Sequence, residues 1–188
     1  MFMGNKNLKC DSQRAGRDNA PIIAMALLAI ALATSVSAAK STPSIDETYL
    51  DSLRGNWDMP GTFGGRSIRY SAQGQRVLQG GFVSLHMIDA SSPPQYEADV
   101  FIGFDPKAND YIAHWLDRFG AAGARVVGRG IRDGERLVIT FPYAEGAFRD
   151  TFIRQPTTRS WSLLLESQAV DGTWSTFASY TLTRRVKD

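Results

Sequence analysis

From Trp57 onward, apolar and polar positions alternate in short runs rich in Val, Ile, Phe, Tyr, Trp and Thr. Alternation with a period of two puts successive side chains on opposite faces of a strand. The runs recur between turn signals, which is the pattern of a β-meander. Asp133-Gly134 separates "VVGRGIR" from "ERLVITF", and Asp171-Gly172 separates "SLLLESQAV" from "TWSTFASYTL". Both Asp-Gly pairs predict two-residue hairpins, whose central residues take positive φ. In "GFDPKANDYIAHWLD" the break is Asp105-Pro106, with Asn109 able to enter the left-handed region. Glu145-Gly146 and Pro156-Thr157 supply further breaks. About ten strands follow, with no room for crossover helices. Ten such strands can form a sandwich or close into a barrel, and closure leaves no exposed edge; the expected fold is all-β, an antiparallel up-and-down barrel.

One segment breaks this period. In "STPSIDETYLDSLRG", Ile45, Tyr49, Leu50 and Leu53 form a single stripe at helical spacing. Ser44 and Glu47 have capping-box spacing, Asp46 and Glu47 suit the positive end of the helix dipole, and Gly55 ends the run. A short helix over about 45–53 is predicted, and it is the only one.

The segment before it has a different character. Lys6, Lys9, Arg14 and Arg17 precede the uncharged run "PIIAMALLAIALA", residues 21–33, and then the small residues of "TSVSAA". This is the order of a secretory signal peptide. The run is shorter than the ~20 residues needed to span a bilayer. Residues 1–38 are therefore expected to be removed, leaving 39–188 as one domain in the periplasm or medium with no transmembrane segment.

Removal changes the charge. The chain carries 21 Lys and Arg against 19 Asp and Glu; four basic and two acidic residues lie before position 39, which leaves 17 of each. A neutral domain lacks the clustered cations that nucleic-acid binding requires. Cys10, the only cysteine, falls in the same leader. The domain thus has neither disulfide nor thiol chemistry, and its stability rests on its core.

Candidate chemistry is sparse. Gly128-Arg129-Gly130 is a fragment of a dinucleotide fingerprint, but it sits in a hairpin without the helix such a site needs, so it reads as a bend in a strand. Glu97 and Asp99 share one strand face and read as a solvated outer surface. His86 and His114 are the only histidines. His114 shares a face with Ile112 and Leu116, whereas Tyr111, Ala113, Trp115 and Asp117 share the other. A one-residue change of register decides which face points inward; pairing Phe104 with Tyr111 and pairing it with Ile112 both stay open. Two histidines do not make a metal site, which takes about three protein ligands. No metal, cofactor or catalytic residue is assigned.

"Gly55-Asn56-Trp57" after a short helix is similar to the Gly-x-Trp start of lipocalin-type barrels. Together with "GFDPKANDYIAHWLD", "VVGRGIRDGERL", "FRDTFIR" and "DGTWSTFASYTLTRR", it resembles a bacterial family of lipocalin-like, calycin-type barrels classed as a domain of unknown function. The resemblance implies the barrel fold and a floor in which Trp57 lies under Arg184 or Arg185. It implies no activity, because one fold hosts many functions. Haem-binding barrels of similar shape use a histidine on a late strand; nothing after His114 can take that role.

The favoured function is a barrel that holds an apolar or amphipathic small molecule in its lumen. Tyr111, Trp115, Arg149 and His86 are the expected ligand contacts, with Arg149 or Arg69 receiving a ligand carboxylate. Two further readings stay open. One is an enzyme working from the lumen, haem-assisted or isomerase-like, with His86 or His114 as the acid–base group. The other is an envelope accessory protein that binds another protein.

Overall fold

A computed structural model describes residues 44–185. The expected leader, residues 1–38, lies outside the described residues. Helix α1 (Ile45–Asp51) is followed by β1 (Gly55–Phe63), β2 (Arg66–Val77), β3 (Phe82–Asp89), β4 (Glu97–Asp105) and β5 (Asp110–Asp117). The second half comprises β6 (Val127–Asp133), β7 (Arg136–Phe141), β8 (Phe148–Gln155), β9 (Ser160–Gln168) and β10 (Trp174–Arg184). Each strand pairs antiparallel with its sequence neighbours, and β1 closes on β10 with Trp57 opposite Arg184 and Phe63 opposite Ala178. The result is a closed up-and-down barrel, the expected fold, and not the sandwich that the alternating pattern also allows.

The helix starts where the capping box places it. Ser44 Oγ accepts from the Glu47 N–H at 3.1 Å, and the Glu47 carboxylate accepts from the Ser44 N–H at 2.7 Å. Of its predicted stripe, Tyr49, Leu50 and Leu53 are fully buried, whereas Ile45, at the first position of the helix, is exposed. Gly74 on β2 permits this packing, because a Cβ there would stand 2.0 Å from the Leu53 carbonyl oxygen.

The turns differ in detail from the Asp-Gly expectation. The β6–β7 loop is Gly134-Glu135, since Asp133 is already paired with Arg136; Gly134 supplies the positive φ. The β9–β10 loop runs over residues 169–173, because Gln168 pairs with Trp174. There the Asp171 carboxylate accepts from the Thr173 N–H at 2.9 Å, so the aspartate builds a wider local turn instead of a two-residue hairpin. Between β4 and β5, Asp105 accepts from the N–H groups of Lys107 and Ala108, and Asn109 takes φ 54°.

Phe104 pairs with Tyr111, which settles the register left open by the sequence. Tyr111, Ala113 and Trp115 therefore face inward, whereas His114 faces outward. Gly128 and Gly130 lie within β6. A Cβ on Gly128 would come within 2.7 Å of Ile139 and Phe141, so the missing side chain makes room for two large neighbours on β7. Gly128→Val is expected to overpack the wall and lower stability by about 1–3 kcal/mol, read as a lower urea midpoint at unchanged slope.

Candidate functional site

The two ends of the barrel are built differently. At one end α1 and the β6–β7 and β8–β9 turns form a polar-pinned cap. Tyr111 lies here: its hydroxyl donates to Asp46 at 2.6 Å, and Arg132 Nε donates to the same carboxylate at 2.9 Å. Tyr49 stands edge-on to Trp161, with ring centroids 5.1 Å apart, and under the Arg132 guanidinium at 5.1 Å. Trp57 is buried in the adjoining layer. Its indole N–H donates to the Leu53 carbonyl at 2.8 Å, and the Arg184 guanidinium lies 4.5 Å from its ring centroid. Arg185 instead pairs with Asp58 on the outer surface at 2.7 Å.

The opposite end opens into a cavity of about 460 Å³. This is within the range of roughly 300–1,000 Å³ typical of small-molecule sites. Its apolar wall comes from inward positions of several strands: Met59, Met87, Phe141, Phe148 and Leu165. Phe63, Phe119 and Phe177 stand at the mouth and are partly exposed. Phe63 and Phe148 both pack edge-on against Phe177, at 4.9 and 5.1 Å.

Polar atoms are few, and those of Trp115, Tyr96 and Asp117 form one chain of hydrogen bonds. Trp115 Nε1 donates to the Tyr96 hydroxyl at 3.1 Å, and that hydroxyl donates to Asp117 Oδ2 at 3.2 Å. The other Asp117 oxygen accepts from the Phe119 N–H at 2.9 Å. Tyr70 stands edge-on to both Tyr96 and Tyr180, at 5.8 and 5.5 Å. Burial pushes the Tyr96 and Tyr180 phenols up, so both remain neutral donors.

Asp150 differs from all of these in being an acid with no solvent contact. It points inward from β8, between Ile139 of β7 and Leu165 of β9, and is completely buried. Among the described residues neither carboxylate oxygen has a hydrogen-bond partner. Desolvation pushes its carboxyl up to about 8. A buried orphan of this kind is costly, and here it lines the cavity. Among the lining residues the only acidic side chains are Asp117 and Asp150; none is Lys, Arg or His.

Of the four expected ligand contacts, the structure brings only Trp115 to this cavity. Tyr111 serves the capped end. Arg149 faces out of the barrel, bound to Glu166 at 2.8 Å and lying 4.1 Å over the Trp174 ring. It is an outward position on the strand whose inward neighbour is Asp150. His86 is also on the outer face, between Glu97 at 3.4 Å and Asp99 at 3.3 Å. Arg69 is exposed. Among the described residues no cation is therefore placed to receive a carboxylate in the cavity. His114 is tied to the Ala124 carbonyl at 2.7 Å outside the wall. The described residues contain no cluster of three metal-binding side chains.

Sequence reasoning passed over Asp150, although its strand carries a readable signal. In "Phe148-Arg-Asp150-Thr-Phe152" the acid shares a strand face with two phenylalanines. Tyr96, Phe119 and Tyr143 were less accessible, since each reaches the cavity from a connection between strands.

No protein-family model matches this sequence, and no curated protein matches it. Among solved structures, the crystal structure of Rv2717c from M. tuberculosis is similar to this chain, with a TM-score of 0.54 and 13% identity over 77% of this chain and 100% of that one, which is a likeness of fold.

Proposed function

We propose that this protein is an exported, lipocalin-like carrier that holds an apolar or amphipathic small molecule in the open half of its barrel. The observation that carries this reading is the cavity of about 460 Å³, walled by aromatic and methionine side chains in a barrel whose other half holds the buried side chains of Trp57, Tyr111 and Trp161. A small barrel can fill its interior or hold a ligand, and this one does the first at one end only. The exposed phenylalanines of the mouth offer an apolar path inward. The export part of the proposal rests on residues 1–38 and predicts a mature N-terminus at Ala39 or Lys40. Sequencing the N-terminus of protein recovered from periplasm or medium checks it; full-length chain in the membrane fraction counts against it.

Binding is tested with N-phenyl-1-naphthylamine, a neutral apolar fluorophore. Saturable binding with quenching of tryptophan emission is expected, because Trp115 lies in the wall. Trp115→Phe should remove part of that quenching. Leu165→Trp, which puts an indole into the cavity, should abolish binding in a protein that still folds. His114→Ala should leave affinity within a few fold, since the imidazole lies outside the wall. Absence of saturable binding to the unaltered protein refutes the carrier reading.

A further inference from the structure

We infer that the cavity selects an organic cation, an amphipathic molecule bearing an ammonium group, with Asp150 as its counter-ion. The inference rests on the carrier reading and adds the charge of the ligand to it. Its first support is the bonding state of Asp150: a fully buried carboxylate in the cavity wall, with both oxygens unpartnered. The described side chains supply no counter-charge here. The elements flanking it present Ile139 and Phe141 from β7 and Leu163 and Leu165 from β9, all apolar. The other titratable groups of the cavity are Asp117 and the phenols of Tyr70, Tyr96, Tyr143 and Tyr180. Tyr143 feels both carboxylates, but burial is the larger cause of its upward shift.

The second support is the wall. An ammonium group is attracted to the faces of tryptophan and tyrosine, and one indole and four phenols line the cavity. An anionic amphiphile meets the reverse: two acids and no cation among the lining residues. A metal ion is a poor occupant, because it needs several ligating side chains close together and the described residues hold no such cluster. A cation with apolar substituents satisfies both halves of the site. Its charge meets Asp150, and its methyl or aryl groups meet the rings.

The test compares phenyltrimethylammonium with its neutral carbon isostere, tert-butylbenzene, by calorimetry and tryptophan emission. The two differ in charge but hardly in shape. Near pH 9, where Asp150 is ionised, the cation should bind about tenfold or more tighter than the isostere. Asp150→Asn should remove that preference and leave binding of the isostere within about twofold. The quaternary probe does not titrate, so its affinity should rise as pH increases from about 6 to 8 and then level off. An independent measurement uses the unaltered protein alone. Near pH 7, calorimetry in two buffers of different ionisation enthalpy should detect proton release on binding the cation and none on binding the isostere. If the isostere binds as tightly as the cation, or if no proton is released, the cation inference is wrong while the carrier reading stands. If neither probe binds, both fall together.

Discussion

Trp57→Ala lowers the stability of the barrel by about 3–5 kcal/mol, the range for emptying a large aromatic site. The side chain is 1% exposed and sits where α1, β1 and the end of β10 converge. Three losses combine. The indole volume vanishes from a packed layer that α1 cannot easily collapse to fill, because Tyr111, Arg132 and Asp46 tie the helix to the wall. The Leu53 carbonyl loses its donor. Arg184 loses the ring beneath its guanidinium, although it keeps a hydrogen bond to the Ser52 carbonyl at 3.3 Å. The first loss dominates; an exposed cation–π contact contributes only about 0.5–1 kcal/mol. Arg184→Ala is therefore expected to cost far less than Trp57→Ala. Trp57→Phe falls between, keeping much of the packing but orphaning the carbonyl. Denaturant titration of the three variants gives that order directly. Equal midpoints for Trp57→Ala and the unaltered protein would show that the helical cap is held without the indole.

The packed end was largely legible in the sequence, and the open end was not. Ser44, Glu47 and the stripe of Tyr49, Leu50 and Leu53 announce a capped helix from local chemistry alone, because capping and helical spacing act within one or two turns. The strands are legible for a similar reason: alternation is a local pattern, and turn residues mark its ends. Which face of β5 points inward is not local. It depends on Phe104 pairing with Tyr111, and thus on how the Asp105–Asn109 turn closes. The same dependence misplaced Arg149 and His86. Their chemistry suits a ligand, but their phase relative to the alternating partners fixes them on the outer face. Phe148, Asp150 and Phe152 set that phase on β8 and put Arg149 outside. On β3, Val83, Leu85 and Met87 do the same and put His86 outside. The cavity itself is a sum of residues from eight strands and the loops between them. No window of sequence contains it.

Asp150 also makes a prediction about stability that needs no ligand. Its folded pKa is raised to about 8, whereas an unfolded aspartate titrates near ~3.9. Between those values the folded protein holds a proton that the unfolded chain has released. By linkage, stability must then fall as pH rises through that window, by roughly 1 kcal/mol per pH unit, and level off above about 8. The sign is opposite to that of a salt-bridged carboxylate. Glu135 shows the contrast: hydrogen bonds from Arg154 hold its carboxyl down, as the Ser91 hydroxyl does for Asp89. Their contributions are lost only as pH falls below the ordinary carboxylate range, so they do not interfere between pH ~5 and 8. Asp150→Asn keeps the size of the side chain and removes its titration. The variant is expected to show a nearly flat stability profile across that interval and to exceed the unaltered protein by several kcal/mol at about pH 8, with the difference shrinking steadily towards pH 5. Urea midpoints measured across the interval decide it. Parallel profiles for the two proteins would mean that Asp150 is ionised in the folded state already at pH 5 and that a partner for its charge has been overlooked in the wall.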